Sequence, residues 1–245
     1  YKGLATPSQW CCPAPGSPWY LEDAEKVYIE YNPERANRFL DEIGLKWDKN
    51  HEYRLCPDGE GLRFVDTLHI PNLYGNTETM ELIKKYWKEI GIQMIVKPTD
   101  VRLWITQVTG AEHDITTYVA TPAYIGLIPA KSTYMFPLNT RSYWAPMWGI
   151  WFATEGKSGE EPPADVKRLW EIREEILKEP SMEKRTTLAK EAVKIHAKNL
   201  WAIGTVRQPA LGCYWVVKNN FRNLPSKPFS RKMWFSNLVA QFFVK

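Results

Sequence analysis

The chain has 245 residues, of which 44% are hydrophobic and 24% are charged, enough to bury a sizeable core in one large or two modest domains. Its 32 lysines and arginines nearly balance its 28 aspartates and glutamates, and the sequence contains no cluster of basic residues. This even distribution of the net charge of +4 argues against binding to nucleic acid or to an acidic membrane surface. No apolar run approaches the length of a membrane span. Twelve tryptophans are the one excess in the composition, and such an excess is common where aromatic faces hold a ligand.

The N-terminal part of the chain divides into an irregular stretch and a helix. Residues 1–31 are rich in proline and tryptophan, which predicts an irregular segment held by aromatic rings. Because the chain begins at Tyr1 without a methionine, we expect it to be a processed or cut piece of a longer protein. Residues 32–44 then predict a short amphipathic helix, with Asn32 as its cap, Pro33 in its first turn and Gly44 at its end.

Residues 62–118 alternate between the period of a strand and the period of a helix. In order, these periods predict a strand, a helix, a strand, a helix and a strand at residues 62–70, 76–91, 92–96, 101–108 and 113–119. Asn76 is expected to cap the first of these helices and Gly91 to stop it, while Pro98 is expected to end the second strand. Two strands joined through a helix of this length pair in parallel. The predicted fold class is therefore α/β, with a three-stranded layer as its centre.

Beyond this layer the pattern loosens and then becomes regular again. Six prolines between residues 121 and 163 argue against long regular elements, as in a packed loop or a binding surface. Residues 165–178 and 181–198 predict two helices, the second capped by Ser181. Apolar, β-rich runs then predict short strands at residues 200–206 and 213–217.

The four cysteines, Cys11, Cys12, Cys56 and Cys213, lack the paired spacing of a zinc site, so we expect no bound metal. Two arrangements remain open. In an exported protein, Cys11 or Cys12 could form a disulfide with Cys56 or Cys213. Alternatively, all four are unpaired and partly buried thiols.

Groups arranged for catalysis are missing from the sequence. The four histidines are scattered without partners at ligand spacing, and no nucleophile elbow, phosphate-binding glycine loop or nucleotide fingerprint occurs. His113 and Asp114 are adjacent in a predicted strand, where neighbouring side chains face opposite sides. We therefore predict no catalytic residue, no cofactor and no enzymatic activity.

The positive signal is a run of aromatic residues at 141–152. Flat apolar faces with polar tips are suited to stacking on sugar rings or holding peptide side chains. The alternative interpretation is a small tryptophan-rich core beneath a long loop. Tyr124 joins the candidates because it lies just past a strand end that would face a binding cleft. The predicted ligand-binding residues are Tyr124, Arg141, Tyr143, Trp144, Trp148 and Trp151.

The order of several short motifs resembles a known family. The motifs are Tyr31-x-Pro-Glu-x-Ala36, the Pro57-Asp-Gly59 turn, Glu89-Ile-Gly-Ile92, His113-Asp-Ile115, Asn199-Leu-Trp-Ala-Ile-Gly204 and Asn219-Asn-Phe-Arg-Asn-Leu-Pro225. In this order they resemble the C-terminal part of the family 5 extracellular solute-binding proteins, the peptide, nickel and oligosaccharide receptors of ABC importers. The resemblance extends over nearly the whole chain from residue 31 onward.

The resemblance implies an architecture and a function. The fold would be a periplasmic-binding-protein type II lobe with a mixed β-sheet flanked by helices. Residues 1–31 would lead in from a missing lobe, residues 32–225 would form the distal ligand-binding lobe, and residues 226–245 would return toward the first lobe. The protein would be periplasmic or on the cell surface, and would deliver peptides or oligosaccharides to ABC permease subunits.

One departure from the family bears on the ligand. In the peptide receptors of this family, an aspartate soon after the strand containing the equivalent of Asp114 pairs with the free amine of the peptide, whereas residues 117–124 of this chain contain no acid. Losing that buried counter-charge disfavours a free-amine peptide and favours an uncharged oligosaccharide. A carbohydrate-active hydrolase using Glu155, Glu160 or Glu161 in a Trp-rich cleft is the alternative function, and a protein-interaction domain is a third.

Overall fold

The computed structural model describes residues 5–10, 12–13, 15–69, 77–117, 133–207, 221–222 and 243–244. Its helices in these ranges are α1 (Glu22–Glu25), α2 (Pro33–Glu42), α3 (Thr77–Glu89), α4 (Val101–Thr109), α5 (Pro146–Ala153), α6 (Ala164–Lys178) and α7 (Met182–Asn199). Its strands there are β1 (Thr6–Pro7), β2 (Arg63–His69), β3 (Gln93–Thr99), β4 (Ile115–Thr117), β5 (Val206–Arg207), β6 (Phe221–Arg222) and β7 (Phe243–Val244).

The chain divides into two compact units. The first unit comprises Tyr1–Ile29, Thr121–Ala130 and Ile172–Lys245, and the second comprises Glu30–Ala120 and Lys131–Glu171. The boundary near residue 171 lies within α6. Each unit therefore contains segments that are distant in sequence.

The second unit contains the predicted α/β layer. Its sheet has the order β3-β2-β4, and both pairs of strands are parallel. Helix α3 covers one face, where Met80 forms a core with Met94 and the flanking side chains of Ile83, Trp87 and Val96. The buried residues Trp104 and Val108 belong to α4, and Trp104 Nε1 donates to Thr116 Oγ1 on β4 at 2.7 Å. The predicted strand-helix alternation is confirmed.

Pro98 does not end the second strand, contrary to the sequence prediction. Strand β3 continues through Pro98 to Thr99, in register with β2. Among the described strands, β3 pairs with β2 alone and so lies at an edge of the sheet. A proline is tolerated there because its missing N–H faces away from the neighbouring strand.

Helix α2 begins and ends where its sequence signature predicts. The side chain of Asn32 accepts a hydrogen bond from Arg35 N at 2.9 Å, Pro33 occupies the first turn, and Gly44 adopts a positive φ of 85°. Its apolar face is not buried among the described residues, since Ile43 is 70% exposed.

Buried Arg54 holds α2 to the turn between α3 and β3. Its side chain donates to Ile90 O at 3.0 Å, to Asn37 Oδ1 at 2.7 Å and to Asp41 Oδ1 at 2.6 Å, and it also donates to Leu45 O. Asn37 and Asp41 belong to α2, whereas Ile90 follows α3. A single fully buried guanidinium thus satisfies polar groups of α2 and of the segments that follow α2 and α3.

In the first unit, the N-terminal segment pairs with residues that follow α7. Strands β1 and β5 are antiparallel, and the side chain of Gln9 accepts from Gly204 N at 2.8 Å. Buried Glu25 forms an ion pair with Arg207 and accepts a hydrogen bond from Tyr20 Oη at 2.6 Å.

The strand predicted at residues 200–206 is wrong over most of its length. Helix α7 runs to Asn199, and Leu200 ends it in a left-handed conformation with φ of 47°. Only Val206 and Arg207 form a strand, because β1 offers a partner of two residues. The strand predicted at 213–217 and the cap predicted at Asn76 lie outside the described residues.

The two long helices predicted near the C-terminal end are confirmed as α6 and α7. Val166, Leu169, Ile172 and Ile176 form the buried stripe of α6. Ser181 caps α7, where its hydroxyl accepts from Lys184 N at 3.5 Å. No helix in the described ranges is long and apolar enough to cross a membrane.

Two of the four cysteines are described, and both are free thiols. Cys12 is buried, its Sγ donates to Leu21 O at 3.1 Å, and burial raises the pKa of the thiol. Any disulfide that needs Cys12 or Cys56 is therefore excluded in this structure, while Cys11 and Cys213 lie outside the described residues.

Candidate functional site

A tight turn ahead of α5 carries the start of the aromatic run. Ser142 is fully buried, and its hydroxyl donates to Phe136 O at 3.3 Å and accepts from Leu138 N at 3.2 Å. The backbone of Asn139 accepts from Ser142 N at 3.0 Å. These bonds fix the chain direction, so that the next side chains, Tyr143 and Trp144, have defined positions.

Helix α5 is an element that the sequence analysis missed, because it treated residues 121–163 as irregular. Pro146 occupies the first turn, where its fixed φ and missing N–H favour a helix start. That proline is the signal that could have revealed the helix. Gly149 lies against the turn: a Cβ at this position would be 2.2 Å from Asn139 O. The helix can approach so closely only because residue 149 has no side chain.

Tyr143 connects the aromatic run to the α/β layer. Its ring lies edge-on to Trp104, with centroids 5.0 Å apart and planes at 74°. Trp104 is itself buried and bonded to β4, so Tyr143 packs on a rigid base. Sequence reasoning placed Trp104 on an amphipathic helix and gave it no part in the site.

The tryptophans of the run are half-buried, and they lie in two places. Trp144 and Trp148 pack edge-to-face, with centroids 6.3 Å apart and planes at 80°. Trp151 lies over the turn after α5, where a Cβ on Gly156 would approach its ring to 3.2 Å. Arg141 is exposed. The structure thus pairs Trp144 with Trp148, and Tyr124 lies outside the described residues.

Half-buried indoles of this kind have one part packed and another accessible to solvent. Phe152, the last residue of the aromatic run, packs on Trp170 with ring centroids 4.9 Å apart. Trp170 is itself held in place, because its Nε1 donates to Pro137 O at 3.0 Å. Such preorganised aromatic surfaces bind flat or apolar ligand groups without ordering long flexible side chains.

The carboxylates near this run are in contact with solvent. Glu155, Glu160 and Glu161 are exposed, and Glu161 pairs with Lys167. No group of three metal-binding side chains occurs within the ranges that the structure describes.

Asp114 and His113, which are adjacent in the sequence, lie just before β4. Asp114 Oδ2 accepts from Val65 N at 2.9 Å, while burial lowers the pKa of His113. The negative charge of Asp114 raises the pKa of His113 and so offsets part of the effect of burial.

Comparison with known proteins gives the family. Residues 1–142 match the family described as "Bacterial extracellular solute-binding proteins, family 5 Middle". The match covers more than half of the 245 residues, and the chain belongs to this family. This agrees with the resemblance found in the motif order.

Individual relatives are longer than this chain. The oligopeptide-binding protein OppA of Lactococcus lactis subsp. cremoris is 29% identical over an alignment of 146 positions, which covers 55% of this chain and 24% of that protein. A solved structure of an oligopeptide-binding protein OppA gives a TM-score of 0.78 at 33% identity over 100% of this chain and 40% of that one. The chain thus spans less than half the length of these relatives.

A third comparison supports the fold alone. The periplasmic binding protein MelB from Agrobacterium fabrum, in complex with stachyose, gives a TM-score of 0.64 at 18% identity over 83% of this chain and 29% of that one. Together with OppA, it gives the fold class as the α/β fold of type II periplasmic binding proteins, with parallel and antiparallel sheets flanked by helices.

Proposed function

We propose that this chain is the ligand-binding lobe of an exported solute-binding protein that delivers peptides or oligosaccharides to an ABC importer and catalyses nothing. The observation that carries the proposal is the match of residues 1–142 to a family of extracellular solute-binding proteins. The relatives compared with the chain are named as binding proteins. Residues 32–225 would form the lobe, with residues 1–31 leading in and residues 226–245 returning to the other lobe.

The location and partner follow from the same role. A receptor of this class would work in the periplasm or at the cell surface and would dock on the permease subunits of the importer. The members of the family are described as extracellular proteins.

The ligand is proposed to contact the aromatic run. Trp144 and Trp148 support this because they are half-buried, packed against each other and next to a turn fixed by buried Ser142. Trp151, Tyr143 and exposed Arg141 are the further candidates from the described residues, and Tyr124 remains a candidate from the sequence.

An uncharged oligosaccharide suits this site better than a peptide with a free amine. Residues 117–124 contain no acid to pair with an ammonium group. An unpaired ammonium in an enclosed site costs several kcal/mol, on the order of the loss from breaking a buried ion pair. Sugar rings, in contrast, need only flat apolar faces and neutral polar groups. Among the relatives, OppA is named for oligopeptides and MelB was solved with stachyose.

The hydrolase alternative gains no support from the described residues. A glycosidase needs two carboxylates that flank the scissile bond, one of them with a raised pKa. Glu155, Glu160 and Glu161 are instead exposed to solvent.

The test is a titration of the full-length protein with matched panels of neutral oligosaccharides and free-amine peptides, followed by intrinsic fluorescence. We expect oligosaccharides to change the tryptophan emission at micromolar concentration and peptides to bind more weakly. Tight peptide binding without any sugar response would refute the sugar assignment. Absence of binding by both panels, with turnover of a glycoside, would refute the receptor.

The residue assignments need paired variants. Trp148→Ala should weaken binding about 5-fold or more, since an aromatic contact contributes on the order of 1 kcal/mol beyond its area burial. Trp148→Phe keeps a flat face and should recover much of the affinity. Trp201→Ala is the control, because Trp201 is also half-buried but belongs to the first unit. Equal losses in Trp148→Ala and Trp201→Ala would remove the aromatic run from the site.

A further inference from the structure

A carboxylic acid is buried in the middle of the parallel sheet. Asp66 lies on β2, the central strand, and its side chain is 0% exposed. Among the residues that the structure describes, neither of its carboxylate oxygens has a hydrogen-bond partner. A buried polar group without a partner is costly, and a buried charge is more so.

The face on which Asp66 lies is the one that α3 covers. Side chains alternate along a strand, so Asp66 shares a face with Phe64, whose ring packs edge-on to Trp87 of α3 at 6.0 Å. Thr117 of β4 also reaches this face, where its hydroxyl donates to Met80 Sδ of α3 at 3.5 Å. Asp66 therefore lies beneath α3.

None of the described side chains that face Asp66 carries a charge or titrates. Strand β3 supplies Val96 at the paired position and Met94 before it, and β4 supplies Ile115 at the paired position and Thr117 after it. Helix α3 contributes Met80, Ile83 and Trp87 to the same core. Three charged residues of α3 lie within four positions of Met80: Glu78 is exposed, and Glu81 and Lys84 form an ion pair with each other at 3.3 Å.

We propose that Asp66 is a pH-dependent latch of the second unit: its neutral acid lets α3 seal against the sheet, and its ionisation loosens α3. The physical reason is the cost of a carboxylate in an apolar, cation-free site, which the protein can lower either by holding a proton or by admitting water under α3. This inference does not depend on the identity of the ligand or on the proposed receptor role.

The titration behaviour of Asp66 gives the pH window. Its pKa is raised from 3.8 to about 6, because the effect of burial exceeds the opposing effect of the nearby Thr117 hydroxyl, whose hydrogen bond goes to Met80 Sδ. A carboxyl whose pKa is higher in the folded state than in the unfolded state contributes its full stability at pH values below the unfolded-state pKa. The contribution is lost as the pH rises toward the folded-state pKa. For Asp66 the loss therefore falls between about pH 4 and pH 6.

The central test compares the wild-type chain with Asp66→Asn, whose side chain has nearly the same shape and never ionises. The unfolding constant of the wild type, divided by that of Asp66→Asn, should rise roughly 50-fold between pH 4 and pH 7. The amide in Asp66→Asn has its own burial cost, but that cost is the same at each pH, so the ratio isolates the titration. Asp23→Asn removes an exposed carboxylate from α1 and should leave the ratio to wild type flat.

Two further measurements distinguish a latch from a merely buried acid. Amide hydrogen exchange in α3, corrected for intrinsic rates, should quicken between pH 4 and pH 7 in the wild type and stay constant in Asp66→Asn. The carbon-13 shift of the Asp66 carboxyl in the wild type should titrate near pH 6, a test that needs no variant. Titration at or below pH 4, or equal exchange in α3 for both proteins, would overturn the proposal.

Discussion

At the scale of single residues, Arg54 is the polar centre of the second unit. Its guanidinium is completely buried, and every bond that it makes joins segments that the sequence keeps apart. The guanidinium carbon of Arg54 lies 5.0 Å from the ring centroid of Trp47. The ring of Trp47 in turn stacks on that of His51, with centroids 3.9 Å apart. A planar, five-donor group is required for this arrangement, and lysine cannot supply it.

Arg54→Lys should therefore lower the free energy of unfolding by about 2–4 kcal/mol, because Asn37 and two backbone carbonyls lose their donors. Denaturant unfolding monitored by circular dichroism measures the change. Arg38→Lys is the matched control, since Arg38 is exposed on α2 and its replacement should change stability by less than about 0.5 kcal/mol. Similar values for the two variants would contradict the role of Arg54.

Asp48 is a second residue whose chemistry can be tested. Its carboxylate accepts hydrogen bonds from Tyr53 N at 3.0 Å, Glu52 N at 2.7 Å and Asn50 N at 3.1 Å. The bond from Tyr53 is the main cause that lowers the pKa of Asp48 below 3.8. A carboxyl whose pKa is lowered in the folded state contributes stability at pH values above its unfolded-state pKa. This contribution disappears as the pH falls through the folded-state pKa.

We expect Asp48→Ala to lower the melting temperature at pH 7 and to lower it less at an acidic pH below the lowered pKa of Asp48, where the wild-type carboxylate is itself protonated. Asp58→Ala is the comparison, because Asp58 accepts a single backbone bond, from Glu60 N at 2.9 Å. A difference between wild type and Asp48→Ala that is the same at both pH values would show that the charge of Asp48 does not matter.

At the scale of elements, α5 depends on one glycine. Helix propensity alone predicts that alanine at an interior helix position is more stable than glycine by about 1 kcal/mol. Packing predicts the reverse at Gly149, because the added Cβ would lie 2.2 Å from Asn139 O, a backbone atom.

Gly149→Ala should accordingly destabilise the chain by about 1–3 kcal/mol, the usual range for overpacking, and should displace Trp148 on the same helix. Thermal unfolding gives the first effect, and tryptophan emission gives the second. Ala153→Gly, at the exposed last residue of α5, is the comparison for a change between alanine and glycine at a position of this helix that is not closely packed. Stabilisation by Gly149→Ala would mean that α5 does not lie against the turn.

At the scale of the whole molecule, the first unit is held by contacts between residues far apart in sequence. Glu25 and Arg207 are separated by 182 positions, and Glu25 is buried while Arg207 is partly exposed. A buried carboxylate that loses its cation is strongly destabilising, although the exposure of Arg207 reduces the effect.

We expect Arg207→Gln to cost about 2–3 kcal/mol of unfolding free energy, and the double variant with Glu25→Gln to recover part of that loss. A double-mutant cycle by chemical denaturation measures the coupling. Lys26→Gln is the control, because Lys26 pairs with Glu22 on the exposed surface, where solvent screens the attraction and little stability is at stake. A coupling energy near zero for Glu25 and Arg207 would contradict the assignment.

The sequence by itself determined helices α2, α3, α4, α6 and α7 and the strand-helix alternation of the second unit. Asn32, Ser181 and the apolar stripe of α6 act within a few residues of chain, so their effect can be read from local spacing. The motif order was also enough to identify the family, and the aromatic run could be singled out from composition alone.

Only the tertiary structure decided what depends on neighbours distant in the chain. Pro98 continues a strand because β3 lies at an edge of the described sheet, and residues 200–205 form no strand because the partner segment β1 is two residues long. The same holds for Asp66 and Arg54: both are buried ionisable residues, but Asp66 meets no charged group among the described residues, whereas the guanidinium of Arg54 meets five acceptors. The cost of burying a charge depends on the groups that surround it, and those groups are brought together only by folding.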